Sequence, residues 1–159
     1  MTSIDFYFNA GDRLGVACRL AGKALLQKKR VLIYAPQAEL AQKIDRLLWT
    51  SRAISFIPHC YAHDPLAAGT PILIAAGDEA VAPESTASAA SAASAACAAC
   101  EVLLNLAAEC PPFFERHERL LEIVAQDEEG RHAGRARYAF YRDRGYAIRN
   151  HDLSGEARG

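Results

Sequence analysis

The tightest constraint on this chain lies in its first fifty residues, where two short apolar runs are each followed by a helical pattern. Ile4 to Phe8 (IDFYF) reads as a strand, and Asn9-Ala10-Gly11-Asp12 behind it supplies a turn with Asp12 as a helix N-cap. Leu14, Ala17, Cys18, Ala21, Ala24 and Leu25 recur at helical spacing, and Lys28, Lys29 and Arg30 close the segment with the charge a helix C-terminus favours. Val31 to Ala35 (VLIYA) is a second strand, and Pro36 opens a second helix carrying Leu40, Ile44, Leu47 and Leu48. Strands apolar on both faces and alternating with helices call for a parallel sheet with cover on each side.

The rest of the chain extends this pattern. Ile54 to Pro58 and Pro71 to Ala75 read as further strands, joined by a loop holding His59 and His63. Residues 77–100 are almost pure Ala and Ser, with no large apolar residue after Val81 to anchor them, and read as a linker. Val102 to Leu106 is a strand, and Cys110-Pro111-Pro112 breaks the chain. Phe113 to Ala125 is expected as an amphipathic helix with Phe113, His117, Leu120, Leu121 and Val124 inward. A last helix runs from about Asp127 to Arg144, Gly145 suits its C′ position, and Tyr146 to Ile148 adds a terminal edge strand. The expected fold is α/β: a single-domain Rossmann-like three-layer sandwich over residues 1–150, with a mostly parallel sheet, helices on both faces and no cofactor loop. Residues 151–159 are expected as a polar tail.

Nothing in the sequence signals export or membrane insertion, and five cysteines at irregular spacing suit a reducing compartment, so the expected location is cytoplasmic. Net charge is only −1, which argues against a general nucleic-acid binder. Its distribution is uneven. Between Arg52 and Arg116 there are seven acids and no Lys or Arg, whereas from Arg131 to Arg149 six arginines face only Asp143. A basic patch of that size suits a short acidic partner better than a long duplex.

Catalytic and cofactor signals are weak. The turn after the first strand, Asn9 to Gly15, lacks the G-x-G-x-x-G spacing, and Gly22-Lys23 lacks both the first glycine and the Ser or Thr of a phosphate loop. Cys60-x-x-His63 and Cys97-x-x-Cys100 have zinc-like spacing but no flanking glycine knuckle. Ser55, His59 and Asp64 stand in no motif that orients a nucleophile. No enzyme activity, cofactor or metal is therefore expected.

The final helix is the exception. At 100° per residue Arg131, Arg135, Tyr138 and Arg142 share one stripe, with Ala133, Ala136 and Phe140 on the opposite side. Such a stripe is either a solvated charged face or a cradle in which arginines take carboxylates while a phenol ring covers an apolar side chain. A second functional class, direct binding of single-stranded nucleic acid, would use Tyr138, Tyr141 and Tyr146 as stacking groups. A small-molecule enzyme on the same scaffold is the third.

Several blocks, in order, resemble the DNA polymerase III chi subunit family: IDFYF, KRVLIYAP at Lys29 to Pro36, IDRLLW at Ile44 to Trp49, SFIPH at Ser55 to His59, LLNLAAECPPFF at Leu103 to Phe114, and RARYAFYRDRGY at Arg135 to Tyr146. The resemblance implies a non-catalytic accessory subunit of the clamp-loader assembly, with two partners and DNA reached only through them. One partner is the psi subunit. The other is the acidic C-terminal tail of single-stranded-DNA-binding protein, which ends in a Phe carboxylate. It implies tail binding by Arg135 and Tyr138; Ala139 stands where a member of the family carries a lysine, so this chain either binds the tail more weakly or recruits Arg142 or Arg131 instead. It also implies a psi surface at Phe56, with Ile57 and Trp49 as neighbours. For Trp49 ordinary core packing is the weightier expectation, because Trp is usually well buried.

Overall fold

The computed structural model describes residues 2–50, 58–61, 64, 66, 69–75, 97, 99–111 and 114–153. In chain order these form β1 (Ser3–Ala10), α1 (Arg13–Leu26), β2 (Val31–Tyr34), α2 (Ala38–Thr50), β3 (His59–Tyr61), β4 (Ile72–Ala75), β5 (Val102–Asn105), β6 (Arg119–Ala125), α3 (Glu128–Asp143) and β7 (Ile148–Asp152), with a 3-10 turn at Phe114–Arg116. The strands make one seven-stranded sheet in the order β3-β4-β2-β5-β6-β1-β7, and every described pairing is parallel.

Alternation along the strands divides the core into two layers. Val31, Ile33, Ile72, Ile74, Val102, Leu104, Leu121 and Ile123 meet Val16, Ala17, Ala21, Ile44 and Leu48 of α1 and α2 on one face. Ile4, Phe6, Leu32, Leu73, Leu103, Leu120 and Val124 meet Tyr141 of α3 and Phe114 on the other. The three-layer α/β sandwich expected from the sequence is therefore the observed fold. Asp12 caps α1 as expected, its side chain accepting from the Gly15 N–H at 3.1 Å.

Four expectations need correction. The α-helix expected over Phe113 to Ala125 is not found in its described residues, 114–125: Phe114–Arg116 is a 3-10 turn and Arg119–Ala125 is β6, lying between β5 and β1. Leu120 to Val124 are all buried because a central strand is covered on both faces, and the apolar positions Leu120, Leu121 and Val124 fit helical spacing nearly as well. His59 lies in β3 rather than in a loop; the expected strand at Ile54 to Pro58 falls, except for Pro58, outside the described residues. Most of 77–100 is also outside them, but its end is anchored, because Cys97 and Cys100 are buried in the α3-side core. Burial pushes the thiol of Cys100 up to about 12 and that of Cys18 up to about 11, so both behave as small apolar side chains. Finally, β7 runs to Asp152 and Leu153 is buried, so the folded unit continues past residue 150. Among the described residues no helix is long and apolar enough to cross a membrane.

Candidate functional site

The helix that carries the arginine stripe is fixed to the sheet by a buried polar network. Asp127 caps α3, accepting from the Gly130 N–H at 3.0 Å, and Gly145 ends it at φ +84°. The side of α3 that faces the sheet is Gly134, Arg137 and Tyr141, not the Ala133, Ala136 and Phe140 set opposite the stripe, and Ala136 is exposed. A Cβ on Gly134 would lie 2.8 Å from a Val124 methyl, so glycine there sets how closely α3 approaches β6.

Glu122 of β6, fully buried, is the hub. It accepts from Arg137 Nε at 2.9 Å, from the Tyr141 hydroxyl at 2.6 Å and from Asn105 Nδ2 at 3.1 Å. Arg137 also donates to the Ala108 carbonyl at 3.0 Å. Burial pushes the Glu122 carboxyl upward, against the pull of Arg137, Tyr141 and Asn105. Burial and the adjacent Glu122 push Tyr141 far above the usual phenol range, so it stays a donor. No described buried side-chain polar atom lacks a partner. Sequence reasoning missed this network; its signal was a Glu inside the run RLLEIVA and an Arg four residues before Tyr141.

The remaining arginines sort by partner. Arg144 lies 3.9 Å over the Phe140 ring, and Arg149 binds Asp5 at 3.0 Å. Arg131 and Arg135 are exposed and make no hydrogen bond or ion pair with the described residues, and Arg142 has only a long, exposed contact of 3.5 Å to Asp143. These three, with Tyr138, line one concavity of about 620 Å³ between α3 and the β1–β7 edge. Its apolar floor is Phe8 and Val124, Ala139 is on its wall, and Asn9, Asn150 and Asp152 form the far rim. Tyr138 is half-buried, its ring 5.1 Å from Phe6 at 62° and 6.4 Å from Phe8. Asn9 adopts φ +62° at a shift in the β1–β6 register and donates to Asp152 at 2.8 Å, which ties that rim together. All four residues of the stripe are therefore brought together, over a floor the sequence did not reveal.

The other nominated surface is on the far side of the molecule. Phe56 and Ile57 lie outside the described residues. Trp49, at the end of α2, is 55% exposed, which overturns the expectation that it is core; Ala41, Ile44 and Leu48 form the buried side of that helix. The Trp49 ring meets His59 edge-on at 4.9 Å, and His59 Nε2 is 3.0 Å from Asp45. β3, next to this corner, and β7, beside the trough, are opposite edges of the sheet, about 29 Å apart at six strand spacings of roughly 4.8 Å. At the carboxyl ends of β5 and β6, where such sheets often bind ligands, a smaller cleft of about 360 Å³ is lined by Arg13, Gln37, Leu40, Leu106 and Glu129 among others.

Fold and site together define an α/β sandwich that presents a cationic, aromatic-floored trough beside an edge strand. The chain belongs to the DNA polymerase III chi subunit family: the family model described as "DNA polymerase III chi subunit, HolC" matches residues 1–149. A protein of Pseudomonas aeruginosa named DNA polymerase III subunit chi is 31% identical over 157 residues, 96% of this chain and 98% of that protein. Proteins of the same name from Escherichia coli and Haemophilus influenzae are each 25% identical over 84% of this chain, covering 80% and 82% of their own lengths.

Proposed function

We propose that the chain is a non-catalytic accessory subunit that tethers the DNA polymerase III clamp-loader assembly to single-stranded-DNA-binding protein during replication. The observation that carries this reading is a floor of Phe8 and Val124, walled by Tyr138, under three arginines: Arg131 and Arg135, which make no ion pair with the described residues, and Arg142, whose one described ion pair is the exposed 3.5 Å contact to Asp143. An acidic tail ending in a Phe carboxylate offers carboxylates to guanidinium groups and an aromatic ring to an apolar floor. Arg135 is the carboxylate clamp, Tyr138 the wall of the ring pocket, and Arg131 and Arg142 make up for the uncharged Ala139. The psi subunit takes the opposite corner, through Trp49 with Phe56 and Ile57. DNA is engaged only through its protein coat, where many tails presented together turn a weak contact into a lasting one.

Direct binding of single-stranded nucleic acid fits the site less well. Of the three rings it would stack on, Tyr141 is fully buried against Glu122, and Tyr146 donates its hydroxyl to Glu115 at 2.5 Å. A pull-down on immobilised single-stranded oligonucleotide separates the readings. Retention is expected only when the oligonucleotide is coated with binding protein carrying its acidic tail. Equal retention on bare oligonucleotide would overturn the proposal.

A further inference from the structure

The strand bordering the trough is the last in the sheet, and among the described residues only one of its edges is paired. The Ile4 N–H donates to the Ala147 carbonyl at 3.2 Å, and the Leu153 N–H donates to the Phe8 carbonyl at 2.9 Å. In a parallel ladder each residue turns its N–H and C=O to the same side, and sides alternate along the strand. Residues 147, 149, 151 and 153 therefore face β1, and Ile148 and Asn150 turn their backbone groups outward. Among the described residues no strand lies beyond them. Their side chains point to the α3 face, Ile148 packing on the α3-side core and Asn150 lining the trough, whereas His151 points to the other face and stacks on Tyr7. The open edge and the cationic trough are thus contiguous.

We infer that the acidic tail is held as an added strand along the outer edge of β7, its alternate side chains turned to the α3 face and the arginines; this rests on the reading of the trough given above. Spacing supports it. Arg131 and Arg135 are four residues apart on α3, a rise of about 6 Å, and so are Tyr138 and Arg142. Alternate side chains of an extended peptide are about 6.6 Å apart, so a strand running beside the helix offers successive acids to successive cations. Charge also selects the occupant. A second copy of this chain on the same edge would bring Arg131, Arg135 and Arg142 of two troughs together, whereas an acidic peptide neutralises them.

The test compares Asn150→Pro with Asn150→Ala, reading the affinity of a synthetic acidic peptide ending in Phe by fluorescence anisotropy. Proline at an outward-facing edge position removes no native ladder bond, while alanine keeps the N–H and loses only the side chain. The proline variant should bind about tenfold more weakly than the alanine variant, the scale of one hydrogen bond, because both lose the Asn150 side chain from the trough rim and only proline loses the N–H. Hydrogen exchange of the Asn150 amide should slow when the parent binds peptide. Should the proline variant fail to fold, peptides N-methylated at successive backbone positions replace it: binding should fall at alternate positions only, and equal losses at all positions would contradict strand addition. Full affinity in Asn150→Pro, with Arg135→Ala still weakened, would overturn the edge pairing and leave the trough standing. Full affinity in Arg135→Ala would remove the trough reading itself. A parent dimer that Asn150→Pro dissolves would assign the edge to a second copy instead.

Discussion

The trough beside β7 and the corner beside β3 are built by opposite means. At the trough, exposed cations stand on a helix whose underside is locked by Glu122, Arg137, Tyr141 and Asn105. At the corner, a half-exposed indole leans on His59, which in turn contacts Asp45. The first combination gives charge at fixed positions, suited to carboxylates and weakened by salt. The second gives a large aromatic surface whose contacts salt barely touches. Placed at opposite edges of one sheet, two such sites can be filled at once without sharing a residue.

Substitutions can break that contrast one side at a time. The largest effect is expected for Arg137→Ala, which strands the buried Glu122 carboxyl. Loss of one partner of a buried pair costs about 3–5 kcal/mol, read as a lower denaturant midpoint at unchanged slope. Gly134→Ala forces a methyl against Val124 and should cost about 1–3 kcal/mol of stability. Trp49→Ala should leave stability nearly unchanged, because the ring is half exposed, and weaken psi binding about tenfold, or 1.4 kcal/mol; tail binding should not move. If Trp49→Ala lowered stability by several kcal/mol instead, the corner would be core and the contrast would fail.

The smallest effect is on the acid side, at the back of β7. Burial raises the Asp5 carboxyl, but His151, Arg119 and Arg149 outweigh it and hold the group below its usual range. A carboxyl depressed in the folded state contributes stability above its unfolded value, and that contribution is lost as pH falls through the folded value. Stability should thus decline below about pH 4, and Asp5→Asn should flatten that decline, as measured by denaturant midpoints across pH.

How much of this was legible in the sequence depended on which signals are local. The first two β-α units could be read because their strands are rich in β-branched and aromatic residues and Asp12 marks a helix start. β6 was misread because Leu120, Leu121 and Val124 satisfy a helical period as well as a buried strand, and only its neighbours β5 and β1 decide between them. The stripe Arg131, Arg135, Tyr138, Arg142 was visible because helical geometry alone brings those residues together. Its floor and far rim were not, since Phe8 and Asn150 reach the trough through the β1–β7 pairings Phe8↔Asp152 and Phe6↔Asn150, whose partners are far apart in sequence. Trp49 was assigned to the core by residue type, and only the placement of Leu48 shows which way that last turn faces.

The most direct test of the trough is calorimetric titration of the acidic tail peptide into the parent chain and into Arg135→Ala, at low and high salt. The variant should lose about 2 kcal/mol, roughly thirtyfold, in affinity at unchanged thermal stability, and the parent affinity should fall as salt rises. Equal affinity of parent and variant, or binding indifferent to salt, would contradict the trough reading.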